Sequence, residues 1–251
     1  MAGSEGPVAL VGSGEFLEVM VAVDAGLLAG RPPRAAFLPT AASLEGDERV
    51  AWWLELGRRH YRAMGIEAVP VPVLTRADAD DPRLAALVEG VGLIYLSGGD
   101  PHHLAATLRG SLVWEAIVTE WGKGAALAGC SAGAMALSAG APPDLGPGGS
   151  HRPLAEEADG GGGLALIGQL AVIPHFDLLE RVRPGIVERF SQWKPPTTTL
   201  VGVDEETALV GGGERWQVQG GGAVWVFGGR SPQRFVAGDE IVLAPTLGGA
   251  P

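Results

Sequence analysis

The stretch Ala125-Ala126-Leu127-Ala128-Gly129-Cys130-Ser131-Ala132-Gly133-Ala134-Met135-Ala136-Leu137-Ser138 decides how this chain reads. Ala125 to Ala128 is a short apolar run of the kind that forms a buried strand, and Ala134 to Ser138 reads as helix. Between them, Gly129-x-Ser131-x-Gly133 has the form of a nucleophile elbow, a sharp strand-to-helix turn that lifts a serine clear of the backbone. The flanking glycines let neighbouring chain pass without a side-chain clash. The first helical amides then face an oxyanion beside the hydroxyl, at the positive end of the helix dipole. Cys130 is a competing nucleophile, but a frame centred on it needs glycines at 128 and 132, where the chain has Ala128 and Ala132. The frame selects Ser131 and leaves Cys130 as a small buried neighbour. With 40 glycines in 251 residues, so short a pattern can arise from composition; the strand before it and the helix after it are what give it weight.

Outward from the elbow, short apolar runs alternate with helical patterns through the first half, the signature of a parallel sheet covered on both faces. Pro7 to Val11 ends at Gly12-Ser13-Gly14, Ala35 to Leu38 ends at Pro39-Thr40, and Gly92 to Leu96 ends at Ser97-Gly98-Gly99-Asp100. Ala68 to Leu74 is a further strand and Leu84 to Val88 a short helix. Val50, Trp53, Leu54, Tyr61 and Met64 recur at helical spacing with arginines opposite, as do Val113, Ala116, Ile117 and Trp121 before the elbow strand. Each polar turn follows a strand, so the turns converge on the carboxyl edge where open α/β sheets bind ligands. Residues 140–163 form a Gly- and Pro-rich loop, a surface segment or an active-site flap. Leu170 to Pro174 reads as a strand and Asp177 to Trp193 as a helix interrupted near Pro184. The last third, with Thr199 to Val203, Ala208 to Val210, Trp216 to Gln219, Ala223 to Phe227 and Glu240 to Leu243, reads as strands and hairpins extending the same sheet.

At 251 residues and 46% hydrophobic content the chain can bury one large core, and residues 1–251 are expected to form a single α/β domain. The net charge of -11 argues against nucleic acid and anionic lipid as partners. One cysteine excludes an internal disulfide framework and suits a reducing compartment. Met1 to Gly6 lacks a basic region followed by an apolar run, and no apolar segment is long enough to span a bilayer, so a cytoplasmic location is expected. The strand-rich C-terminal region suggests a homodimer in which a partner covers open edges.

An elbow serine needs a base and an acid from elsewhere in the chain. Of five histidines, His60 falls in a helix beside Arg58, Arg59 and Arg62 and is expected at the surface, and His151 falls in the glycine-rich loop. His102, His103 and His175 follow strand ends and remain as bases. For the acid, Asp204, Glu205 and Glu206 follow the apolar run Leu200 to Val203, with Asp144 as a rival.

Ser97-Gly98-Gly99-Asp100, Gly129-Cys130-Ser131-Ala132-Gly133-Ala134-Met135, Pro174-His175-Phe176 and Val203-Asp204-Glu205-Glu206-Thr207-Ala208, in this order, resemble the cyanophycinase and dipeptidase E family of serine peptidases. The resemblance runs from about Val8 to about Leu243. It implies a class I glutamine amidotransferase-like α/β fold: a mostly parallel, doubly wound sheet with helices on both faces. It further implies Ser131 as nucleophile, His175 as general base and Glu205 as orienting acid, with the backbone N–H groups of Gly99 and Ala132 as the oxyanion hole. Asp144 stays as the alternative acid, because the dipeptidase E branch places its acid between serine and histidine. Asp100, His102, His103 and Arg181 become substrate-binding or structural residues, with Arg183 beside Arg181 as a second cation. No metal and no organic cofactor is implied; the partner is a small peptide or acyl substrate. One departure bears on substrate: cyanophycinases have a glutamine after Gly-Gly-Asp, where this chain has Pro101 then His102. Proline lacks the side-chain amide, so the resemblance does not carry cyanophycin as the substrate. The same residues also fit an esterase or amidase on non-peptide acyl groups, and a noncatalytic protein that binds a small metabolite at this edge.

Overall fold

The computed structural model describes residues 5–140, 163–192, 198–228 and 231–243; Asp144, His151 and almost all of the 140–163 loop lie outside them. In chain order the elements are β1 (Val8–Val11), α1 (Val21–Leu28), β2 (Arg34–Leu38), α2 (Asp47–Ala63), β3 (Glu67–Pro70), α3 (Arg76–Ala79), α4 (Pro82–Ala86) and β4 (Leu93–Leu96). Next come α5 (Pro101–Leu108), α6 (Leu112–Gly122), β5 (Ala126–Cys130), α7 (Ala132–Leu137), β6 (Leu170–Ile173), α8 (Phe176–Val182) and α9 (Ile186–Gln192). The chain closes with β7 (Thr199–Val203), β8 (Thr207–Gly212), β9 (Arg215–Gly220), β10 (Ala223–Phe227), β11 (Gln233–Val236) and β12 (Glu240–Val242). None of the described helices is long and apolar enough to cross a membrane.

Strands β1, β4 and β5 are buried at every position, as continuous apolar runs of a parallel sheet should be. Their side chains alternate between two apolar clusters. Val8, Leu10, Ile94, Leu96 and Leu127 pack with Leu104 and Leu108 of α5 and Val113 and Ile117 of α6. Ala9, Val11, Leu93, Tyr95, Ala126 and Ala128 pack with Val23 and Leu27 of α1 and Tyr61 of α2 on the other face. Burying one large aliphatic side chain stabilises by about 1.5–3 kcal/mol, more than the ~1 kcal/mol span of strand propensities. The alanine-rich β2 and β5 hold as strands through such burial at Phe37, Leu38 and Leu127 and through their ladders to the strands on either side.

The main sheet has eight strands in the order β12-β9-β8-β1-β5-β4-β2-β3. β3, β2, β4, β5 and β1 run parallel, so the turns after β1, β2, β4 and β5 share one edge. β8, β9 and β12 add antiparallel strands beyond β1, as the sequence suggested. The other C-terminal strands do not extend this sheet. β7 and β10 join β6 and β11 in a second sheet, ordered β11-β10-β7-β6, because they bury their own aromatic cluster of Phe176, Phe190 and Phe227. The turn 204–206 crosses from β7 to β8, and so from one sheet to the other. Gly12, just after β1, donates its N–H to the carbonyl of Thr207, the first residue of β8, at 2.9 Å.

Several boundaries differ from the sequence reading for local reasons. β3 stops at Pro70 because Pro70 and Pro72 have no N–H to give a ladder. α5 begins where a turn alone was expected, with Asp100 as its cap and Pro101 in its first turn. The expected interruption near Pro184 separates α8 from α9, and Trp193 lies outside the described residues.

His60 is not at the surface. Its side chain is 3% exposed and its Nε2 lies 2.8 Å from Asp24 Oδ2, itself 2% exposed. The arginines that suggested solvent occupy other faces of α2, whereas His60 and Tyr61 turn inward under α1, a helix the sequence reading did not mark. Burial raises the Asp24 carboxyl above the ordinary range, and the His60 hydrogen bond works against that rise. Removing one member of a buried pair strands the other, so His60→Ala should lower unfolding free energy by about 3–5 kcal/mol, read as an earlier denaturant midpoint.

Candidate active site

β5 ends at Cys130 and α7 begins at Ala132, so Ser131 is the whole of the turn between them. It sits at φ 50° and ψ -108°, a conformation that non-glycine residues adopt only under constraint. The two glycines of the motif supply the constraint. A Cβ on Gly129 would stand 2.5 Å from the Gly133 backbone, and one on Gly133 would stand 2.2 Å from the Leu96 carbonyl. Only chain without side chains at 129 and 133 lets α7 approach β5 and β4 this closely.

Ser131 Oγ is 3.0 Å from Nε2 of His175, and His175 Nδ1 is 3.0 Å from Oε1 of Glu205. A carboxylate only accepts, so Nδ1 carries the proton and Nε2 is left to accept from the serine hydroxyl. His175 follows β6 in the left-handed region, φ 52°, and its side chain and that of Glu205 are 35% and 38% exposed. The three side chains thus come from the ends of β5, β6 and β7, and they meet because β7 belongs to the second sheet while its following turn returns to the first. Asp177, the second residue of α8, accepts the Glu205 N–H at 2.9 Å and fixes the turn against the helix that starts after His175.

The turn after β4 approaches from the other side. Gly99 has φ 141°, and a Cβ there would lie 2.3 Å from the Ala41 carbonyl oxygen, so no other residue fits without displacing the loop. Asp100 N–H donates to that same carbonyl at 2.7 Å. A Cβ on Gly98 would come 3.4 Å from Ser131 Cβ, which sets this loop directly against the elbow.

The family model "Peptidase family S51" matches residues 9–219. The chain belongs to peptidase family S51. A solved peptidase from an acI-B1 Actinobacterium is 36% identical to it, superposes with a TM-score of 0.83, and is matched over 97% of this chain and 99% of that one. A Listeria monocytogenes EGD-e protein assigned to peptidase E shares the fold at 17% identity and a TM-score of 0.59, over 86% of this chain and 99% of that one. Comparison with curated proteins gave no significant match. The fold and family make this chain a serine-type peptidase of the cyanophycinase and peptidase E type.

Within this S51 fold two of the rivals, Cys130 and Asp204, are engaged elsewhere. Cys130 is fully buried, and burial together with the neighbouring Glu15 carboxylate pushes its thiol well above the ordinary range. Native protein at pH 8 should therefore resist iodoacetamide, with a single carbamidomethyl group appearing by intact mass only after denaturation. Asp204 accepts the Ala223 N–H at 3.0 Å and the Trp225 Nε1–H at 3.1 Å, and so holds the end of β7 to β10. Burial first, and Asp177 second, raise its carboxyl. Glu206 is exposed, with φ 54°. Asp100 caps α5 by accepting the His103 N–H at 2.9 Å. His103 Nε2 lies 2.7 Å from Ser43 Oγ and 3.0 Å from the Leu74 carbonyl, which makes it a strut between α5 and the loops after β2 and β3. His102 is half-buried, its Nε2 enclosed without a hydrogen-bond partner among the described residues. Arg181 is exposed on α8.

One residue the sequence reading missed is Glu15, 6% exposed. Its Oε1 accepts the Gly98 N–H at 2.9 Å and its Oε2 accepts the Cys130 thiol at 2.7 Å. The available signal was a lone carboxylate directly after Gly12-Ser13-Gly14, at a strand end and followed by Phe16-Leu17.

Proposed function

We propose that this S51 peptidase hydrolyses small peptides through an acyl-enzyme, with Ser131 as nucleophile, His175 as general base and Glu205 as orienting acid. His175 Nε2 takes the hydroxyl proton as Ser131 Oγ attacks the scissile carbonyl carbon, and the carbonyl oxygen becomes an oxyanion. The N–H groups of Gly99 and Ala132 receive it. Ala132 begins α7, so its amide has no partner within the helix and stands at the positive end of the helix dipole. Glu205 accepts from Nδ1–H throughout and stabilises the imidazolium. That imidazolium protonates the leaving amine as the C–N bond breaks; water, deprotonated by His175, then attacks the ester and restores Ser131.

The observation that carries this reading is the unbroken run Ser131–His175–Glu205, at 3.0 Å and 3.0 Å, within the catalytic hydrogen-bonding range. The exposed Arg181 guanidinium, on the helix that follows His175, is our choice for the substrate's terminal carboxylate, and His102 for the pocket wall. We further place the enzyme in the cytoplasm as a homodimer, a reading supported by its buried unpaired thiol and its exposed strand β11. The test is digestion of a defined pool of di- to octapeptides, followed by mass spectrometry. New termini made by wild type and absent with Ser131→Ala support the proposal. Cleavage of acyl esters with no peptide consumed would move the chain to the esterase reading.

A further inference from the structure

Glu15 links three strand ends. It is carried on the turn after β1, one oxygen accepts the Gly98 N–H from the turn after β4, and the other accepts the Cys130 thiol at the end of β5. Those contacts flank the two amides assigned to the oxyanion: Gly98 precedes Gly99, and Cys130 is two residues before Ala132. The Gly98-Gly99 segment has no side chains of its own to hold it. On one side it leans on Ala41, whose carbonyl takes the Asp100 N–H; on the other stands Glu15, whose Oε1 would be 3.2 Å from a Cβ on Gly98. A buried backbone N–H needs an acceptor, and among the described residues Glu15 is the one that Gly98 has.

We propose that Glu15 is the positioning residue of this active site, a buried clamp that sets the separation between the Gly99 and Ala132 amides. The proposal rests on the triad reading above. An oxyanion hole stabilises charge only when its donors already stand where the oxygen will be, and a displacement of about 1 Å costs on the order of 10²-fold in rate. Glu15 acts through backbone and touches no substrate. Its contribution therefore belongs to the limiting rate rather than to binding.

The test compares wild type, Glu15→Leu, Glu15→Gln, Ser131→Ala and Val23→Ala. Leucine fills the space and offers no acceptor, glutamine keeps an oxygen for Gly98, and Val23→Ala weakens the apolar cluster under α1 while leaving both Glu15 hydrogen bonds in place. Two readouts are taken: the kinetics of labelling by a fluorophosphonate probe, split into saturating rate and half-saturating concentration, and hydrogen exchange at the Gly98 amide. Expected are a saturating rate about 10²-fold lower in Glu15→Leu with little change in half-saturation, near-wild-type labelling in Glu15→Gln, and no slowing in Val23→Ala. Exchange protection at Gly98 should disappear with leucine and persist with glutamine. Glu15→Leu labelled at the wild-type rate, or Val23→Ala slowed as much as Glu15→Leu, would overturn the proposal. Failure of the triad reading looks different: wild type takes no label, or Ser131→Ala still does, and a catalytic purpose for the clamp falls with it, whatever the Gly98 exchange shows.

Discussion

Ser131→Ala is expected to lower peptide turnover by about 10⁴–10⁶-fold, the scale on which serine hydrolases lose rate when the nucleophile is removed. Nothing else near the elbow should change. Alanine keeps the Cβ, the glycines at 129 and 133 still permit the close approach of α7, and the Ser131 N–H still donates to the Val11 carbonyl at 2.9 Å. The melting temperature should stay within a degree or two of wild type. Measuring kcat/KM on the best peptide from the pool, beside a thermal melt, checks both halves. A variant that folds normally and retains more than a few per cent of turnover removes Ser131 from the mechanism.

The second large effect separates three adjacent acids. Glu205→Ala should lower kcat on the order of 10⁴-fold, as loss of an orienting carboxylate does in such sites, with little loss of stability, because the side chain is 38% exposed and its Oε1 contact is to His175. Asp204→Ala should do the reverse. Its two acceptor contacts are to the buried Ala223 N–H and the half-buried Trp225 indole, and leaving the buried donor unpaired costs about 1–3 kcal/mol of stability. Glu206→Ala should do neither. Paired kcat measurements and urea midpoints on the three variants read out the pattern; a large rate loss in Asp204→Ala or Glu206→Ala with Glu205→Ala unaffected would reassign the acid.

These acids also mark where the sequence stopped being legible. That a carboxylate after Leu200 to Val203 would approach the elbow follows from strand ends sharing an edge, but which of three consecutive acids does so depends on the chain crossing between sheets at 204–206. Residues that lie in two different sheets leave no periodic trace. The parallel core was readable because β1, β4 and β5 are buried on both faces and so read as unbroken apolar runs. His60 was misread because charge neighbours along a helix say little about which face α1 covers. Glu15 was invisible for a related reason: a buried carboxylate has meaning only through the Gly98 amide, 83 residues away, and the Cys130 thiol, 115 residues away.

The most direct test of the central claim, that Ser131 is activated by His175, is intact-mass analysis after treating the protein with a fluorophosphonate. One adduct is predicted on wild type, absent from Ser131→Ala and from His175→Ala. A folded wild type that takes no adduct, or a His175→Ala variant labelled as fast as wild type, would contradict the claim.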